Sequence, residues 1–371
     1  MVATDSLTDA ELINELQTQG IRLVQIGVGA PSRQGGAGPS DHKAMTLGNT
    51  TFMAPVHTTQ ASDSPFIALP PKRDGTSEVV CGGETMGLVR FPRRPRFYDL
   101  ETADGIPYWK IATLHSNDVL ATTVFQTCLR YENKKTACQF CAIGRSLQEG
   151  RTIARKTASQ LAEVAKAAVE LDGVRHMVMT TGTPNRTDRG AKTLSECAEA
   201  IRRRVDIPIQ AQCEPPSDDA WYQRMHDAGI DTLGMHLEVV NPVVRRRVLP
   251  GKCEVTLADY FRAFETAVGV FGKSQVTTYL IAGLGDTVDE ILRVSRHLIE
   301  LGVYPFVVPL TPISGTPVQD TPAPSAEMMR SILEPLSRML VAAGMTRESV
   351  KAGCARCGAC SSLGKFEEAA R

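Results

Sequence analysis

The chain changes its hydrophobic rhythm near residue 110. From Val119 onward, short runs of β-branched and apolar residues alternate with longer segments of helical period. The run "VLATTVFQT" predicts a strand over 119–127. After a loop, Ile153, Thr157, Leu161, Val164, Ala168 and Leu171 share one face at helical spacing, which predicts a helix. The alternation continues through strands in "VRHMVMTTGT", "IPIQAQCE", "DTLGMHLEVV", "QVTTYLIAG" and "YPFVVPL". Helices in "TLSECAEAIRRR", "DDAWYQRMHDAG", "TLADYFRAFETAVGVFG" and "TVDEILRVSRHLIELG" fall between them. Six βα-type units in one run predict a parallel sheet with right-handed crossovers, and suit a full or partial barrel better than an open sheet.

Two of these strands carry an internal pattern. Over 207–214, Ile207, Ile209, Ala211 and Cys213 alternate with Gln210, Gln212 and Glu214; over 233–239, Leu233, Met235, Leu237 and Val239 alternate with Gly234, His236 and Glu238. One face looks to covering helices and the other turns polar groups inward, near the strand ends where barrel enzymes hold substrate. The alternative is a pair of edge strands with a solvated face.

The first ~110 residues do not follow the βα pattern. A helix over 9–17 and a strand over 21–27 lead into "GAPSRQGGAGPSDHKAM", a loop suited to anion binding through backbone amides or to a lid role, and then to "TTFMAPVHT". At the other end a helix over 325–343 precedes "AGCARCGACSSLG". The expected fold is α/β: a partial (βα)6 TIM-type barrel over 113–322, an N-terminal α+β extension over 1–112, and a C-terminal helix and cysteine-rich tail over 323–371.

Charge narrows the partners. The 41 basic and 41 acidic residues cancel, so neither nucleic acid nor an anionic membrane is a default partner, and a small-molecule substrate is expected. The N-terminus "MVATDSLTDAELINELQTQG" has acids and no apolar core run, unlike a signal or transit peptide. No stretch approaches the roughly 20 apolar residues of a membrane span. A cytoplasmic location follows as the expectation, and there ten cysteines are kept reduced, so clustered ones point to metal or redox chemistry.

Six of the ten cysteines form two triplets. Cys128, Cys138 and Cys141 are spaced C-x9-C-x2-C behind the first barrel strand; Cys354, Cys357 and Cys360 are spaced C-x2-C-x2-C in the tail. A structural zinc asks for four ligands, whereas a four-iron cluster held by three thiolates leaves one iron open. The nine-residue gap can reach ~30 Å if extended, so it can easily return to a shared site. Zinc completed by a distant residue is the competing reading. Cys81, Cys197, Cys213 and Cys253 read as ordinary thiols.

The order of strand, three-cysteine loop with Phe140 just before the last cysteine, and βα barrel resembles the radical S-adenosylmethionine (SAM) superfamily. The resemblance implies that Cys128, Cys138 and Cys141 hold a [4Fe-4S] cluster whose open iron chelates SAM, and that reductive cleavage yields a 5′-deoxyadenosyl radical. The first gap departs from the usual C-x3-C-x2-C. Later segments carry the resemblance: Gly182 in "TTGT" matches the segment that receives the SAM amino group. "HLEVVNPVVRRRVLPG" is similar to the segment after the fourth strand in lipoyl and biotin synthases. It implies Glu238 for the ribose and Arg245 for the carboxylate, with Arg246 and Arg247 as substitutes. "TTYLIAGLGDTVDE" and "PLTPISGTP" resemble the fifth- and sixth-strand exits. A less characterised radical SAM family, found beside nitrilases in a bacterial gene cluster, shares the long gap, the "GGAGPSDHKA" loop and the cysteine-rich tail.

The resemblance also implies a reductant such as flavodoxin or ferredoxin. The second triplet resembles part of a ferredoxin ligand run and suggests an auxiliary iron–sulfur cluster, with Ser361, Ser362, Cys81, Cys253 or substrate as fourth ligand and zinc as the alternative. The expected function is hydrogen abstraction from a small metabolite, followed by sulfur insertion, rearrangement or oxidation. A radical enzyme acting on a macromolecule and a zinc-stabilised binding module without catalysis are the alternatives.

Overall fold

The structure is a computed structural model and describes residues 7–24 and 41–371. Most of the glycine-rich loop, up to Ser40, and the end of the strand expected over 21–27 lie outside the described residues.

Two sheets organise the described residues. The N-terminal sheet comprises β1 (Arg22–Leu23), β2 (His42–Leu47), β3 (Thr50–Pro55), β4 (Phe66–Ala68), β5 (Thr76–Cys81) and β6 (Glu84–Arg90) in the order β1-β4-β5-β6-β2-β3. Its pairs are antiparallel except β1 with β4. The helix Asp9–Gln19 closes this sheet through Leu12, Ile13 and Leu16, which pack on Met45, Phe52 and Val79 in a core separate from that of the barrel.

The second sheet has seven strands: β7 (Thr113–His115), β8 (Val119–Thr123), β9 (His176–Thr180), β10 (Ile209–Gln212), β11 (Thr232–Gly234), β12 (Val276–Ala282) and β13 (Val303–Pro309). Strands β8 to β13 lie side by side in chain order and all pair in parallel, the six units expected; β7 adds an antiparallel edge on β8. Parallel neighbours need crossovers, and the helices Ala158–Asp172, Ala191–Arg202, Leu257–Phe271 and Val288–Glu300 occur in them. Local chemistry sets several helix starts: Thr157 with Gln160, Thr256 with Asp259 and Thr287 with Glu290 form reciprocal capping boxes, each cap worth about 1 kcal/mol. Gly173, in the left-handed region at φ 68°, ends the first of them.

Register aligns the strand ends. Thr123 pairs with Thr180, Thr180 with Gln212, and Gln212 with Gly234, so the segments after β8, β9, β10 and β11 leave from one end of the sheet. Strand β10 is paired on both sides and all four of its residues are buried, so it is not an edge with a solvated face. Several strands are shorter than the apolar runs suggested. β8 stops at Thr123 rather than residue 127, and β11 stops at Gly234, beyond which the chain follows β12 irregularly to a single bridge between Glu238, in the left-handed region at φ 61°, and Leu280.

The C-terminal segment covers the opposite end. After the helix Ala326–Ala342 the chain passes under the strand starts: Gln275 donates to Ser349 O (2.8 Å) and accepts from Lys351 N (3.0 Å). Thr232 donates to Ala352 O (3.1 Å), and Gly353 N donates to His176 Nδ1 (3.2 Å). No described helix is long and apolar enough to cross a membrane.

Candidate active site

A cavity of about 510 Å³ runs through the barrel, lined by residues from both sheets, from the strand-end loops and from the tail. The thiols of Cys128, Cys138 and Cys141 meet it from the loop after β8, and those of Cys354 and Cys360 meet it from the tail.

The nine-residue gap is a folded element rather than slack. Asn133 makes a side-chain turn to Lys135 N (2.9 Å), its carbonyl accepts from Thr136 N and Ala137 N, and Thr136 Oγ1 reaches back to Arg130 O (2.8 Å). Arg130 fixes this loop to the exit of β10. Its Nε and Nη2 donate to the two carboxylate oxygens of Glu214 at 2.7 and 2.8 Å, and Nη1 donates to Gly251 O. Thr183 Oγ1 completes the Glu214 carboxylate at 2.6 Å. Burial raises the Glu214 pKa, but Arg130 and the other donors outweigh this and lower it overall. Lys134 and Lys135 stay exposed.

Two glycines permit the loop to seat. A Cβ on Gly182 would lie 2.1 Å from Thr127 O and 3.0 Å from Cys128 Cβ; one on Gly251 would lie 2.5 Å from Thr136 O. Phe140 and Cys138 pack against Val239, Val248 and Leu284, which anchors the C-x2-C turn.

Beside the upper thiols lies a second buried ion pair. Lys252 Nζ donates to both oxygens of Glu238 (2.8 and 2.7 Å) and to His236 O (2.8 Å). Burial opposes the Lys252 charge, but the Glu238 and Glu214 carboxylates help hold it cationic. His236 is neutral: burial first, and the Lys252 ammonium second, push its pKa down to about 3. Its Nδ1 accepts from Tyr279 N (3.2 Å), so the proton sits on Nε2, which is buried without a hydrogen-bond partner.

At the lower end Gln210 and Gln212 receive the tail. Cys354 N donates to Gln210 Oε1 (3.2 Å) and Gln212 Nε2 donates to Cys354 Sγ (3.1 Å). Tyr279 hydrogen-bonds Cys354 and Cys360, and Ser116 hydrogen-bonds Cys357. Burial pushes the Cys141 and Cys357 thiols up to about 12, and raises Cys138, Cys354 and Cys360 as well. Such thiols are poor free nucleophiles and become thiolates when a bound cation supplies the charge.

Residues 133–298 match the model of the radical SAM superfamily, a span that includes Cys138 and Cys141 and starts just after Cys128. That stretch of the chain is similar to a radical SAM domain. The bacteriochlorophyllide c C-7(1)-hydroxylase of Chlorobaculum limnaeum is 23% identical, with 56% of each chain covered, so the chain spans little more than half the length of that curated relative. Among solved structures, a radical SAM methyltransferase from Sphaerobacter thermophilus aligns at 16% identity over 78% of this chain and 76% of that one, with a TM-score of 0.46. Methylornithine synthase aligns at 16% identity over 60% and 62%, also with a TM-score of 0.46.

A radical SAM domain implies a [4Fe-4S] cluster and SAM, and the donor set fits: the C-x9-C-x2-C loop offers three thiols and no imidazole, and its one carboxylate, Glu132, is exposed. Among the described residues no three His, Cys, Asp or Glu side chains converge on a single-ion site. Thiolates of a four-iron cluster each meet a different iron and need no such convergence. The cavity brings together Phe140, Gly182 and Glu238 with Cys128, Cys138, Cys141, Cys354 and Cys360. Arg245 is not brought there. It is buried, donates to Leu237 O (2.8 Å), Val239 O (3.2 Å) and Val255 O (3.3 Å), and lies over the Tyr260 ring. Lys252, whose role the sequence did not signal, lines the cavity in its stead, as does Arg130.

Proposed function

We propose that the chain is a radical SAM enzyme that cleaves SAM reductively and abstracts hydrogen from a small metabolite held in the cavity between the two cysteine triplets. The observation that carries the reading is that Cys128, Cys138 and Cys141 share one cavity with Cys354 and Cys360 of the tail, with the polar strand ends between them. When bound, the cluster supplies the electron that cleaves the sulfonium bond. Cys128, Cys138 and Cys141 hold it, and the capped loop and the Arg130–Glu214 pair fix their spacing. The turn at Gly182 presents backbone to the SAM amino group, Phe140 flanks the adenosine, and Glu238 orients the ribose. Lys252, which lines the cavity where Arg245 was first expected, holds the Glu238 carboxylate in place for the ribose and keeps positive charge beside it. The apolar packing of Phe140 and Leu310 excludes water from the reacting centre.

The remaining division of labour follows the chain. Residues 1–112 roof the cavity through His42 and Lys43, residues 113–322 form the catalytic barrel, and residues 323–371 carry Cys354, Cys357 and Cys360 as ligands of an auxiliary iron–sulfur cluster. Electrons come from a flavodoxin- or ferredoxin-type reductant, and the setting is cytoplasmic.

Anaerobic reconstitution, iron and sulfide analysis, and detection of 5′-deoxyadenosine after addition of SAM and dithionite test this function. Iron-dependent cleavage is expected; a protein that takes up only zinc and leaves SAM intact overturns it. Lys252→Met should weaken SAM binding without emptying the iron site.

A further inference from the structure

The lower triplet offers three thiols, and the residue that faces them comes from an unexpected place. His115 ends β7, the antiparallel edge strand, 245 residues from Cys360 in sequence; its Nε2 lies 3.6 Å from Cys360 Sγ, and both line the cavity. The next residue, Ser116, adopts a left-handed conformation at φ 57° and hydrogen-bonds Cys357. Two consecutive hairpin residues therefore touch two of the three thiols.

We infer that His115 Nε2 is the fourth protein ligand of the iron–sulfur cluster held by Cys354, Cys357 and Cys360. This rests on the auxiliary-cluster reading above. Imidazole suits iron, and it replaces thiolate in known iron–sulfur sites. The other candidate donors are engaged elsewhere: Ser361 Oγ accepts from Leu363 N (3.3 Å), Cys253 Sγ meets Pro250 O (3.0 Å), and Cys81 ends a strand of the N-terminal sheet. Ser362 is the rival, because its Oγ is buried without a hydrogen-bond partner. Four protein ligands leave no iron for substrate, so the lower cluster differs in kind from the upper one. Histidine also raises the potential relative to an all-cysteine site.

The test uses the full chain with Cys128→Ala, Cys138→Ala and Cys141→Ala, so that only the lower site takes up iron during anaerobic reconstitution. About four irons per chain are expected, with the nitrogen-14 coupling of an iron-bound imidazole in pulsed EPR of the reduced sample. Adding His115→Ala should abolish that coupling, and His115→Cys should retain iron while lowering the midpoint potential. Coupling that survives His115→Ala, or an unchanged potential in His115→Cys, overturns the ligand assignment and leaves the cluster standing. A potential that moves in Ser362→Ala while both His115 variants stay silent assigns the position to Ser362 and overturns it too. Zinc in place of iron in the parent variant overturns the auxiliary cluster itself.

Discussion

Cysteines of both triplets line one cavity, but the two triplets are supported differently. The upper one sits on a loop pinned by charge, where Arg130 grips Glu214 and Gly251. The lower one sits on a tail pinned by neutral hydrogen bonds with Gln210, Gln212, Tyr279 and His176. A buried ion pair that loses one partner is far more costly than a neutral hydrogen bond that does. The upper loop should therefore be rigid until one residue breaks it, whereas the lower tail should weaken by increments.

The largest expected effect separates the two sites by chemistry. Cys128→Ala should drop 5′-deoxyadenosine formation to background, whereas Cys357→Ala should lower iron by about half if each site holds one four-iron cluster, while SAM cleavage continues. Equal loss of cleavage in both variants would remove the distinction. Next comes Arg130→Met, which strands Glu214 in the interior and should cost about 3–5 kcal/mol in denaturant unfolding. The corresponding neutral change at the lower site, Gln212→Leu, should cost about 1–3 kcal/mol. Gly182→Ala introduces a Cβ 2.1 Å from Thr127 O. It should destabilise by about 1–3 kcal/mol and reduce iron at the upper site alone, read in the Cys354→Ala, Cys357→Ala background.

The last effect is on pH. Burial pushes the His176 pKa from 6.5 down to about 4. As acid is added, the unfolded chain takes up this proton before the folded one does. The contribution is thus complete above pH ~6.5 and is lost as pH falls toward 4, by at most about 3 kcal/mol. His176→Asn should flatten urea midpoints across that window; an unchanged slope would show that His176 does not link the tail to pH.

The barrel was legible because its strands are long apolar runs separated by helices with clear caps, and a period of two does not resemble one of 3.6. The N-terminal sheet was mostly hidden. Its main strands are as long as those of the barrel, but β6 exposes Glu84, Thr85 and Leu88, so no clean alternation marks it. The upper thiols could be found from their number alone. The place of Arg245 could not, since three successive arginines read alike until the helix Pro242–Val248 turns one of them inward onto backbone carbonyls. Lys252 reaches Glu238 only because the chain folds back through the short turn Lys252–Glu254. His115 and Cys360 meet through topology, which spacing along the chain does not encode.

The path of the tail under the strand starts also sets an order of events during synthesis. Residues 128–141 and the exits that grip them emerge from the ribosome well before residues 349–360, which close the barrel from below. Gln17 then bonds Ala359 O across 342 positions, so the first helix waits for the tail before it is fully held. Such late, distant contacts slow folding. The barrel's lower end therefore stays uncovered until the tail has been synthesised and closes it.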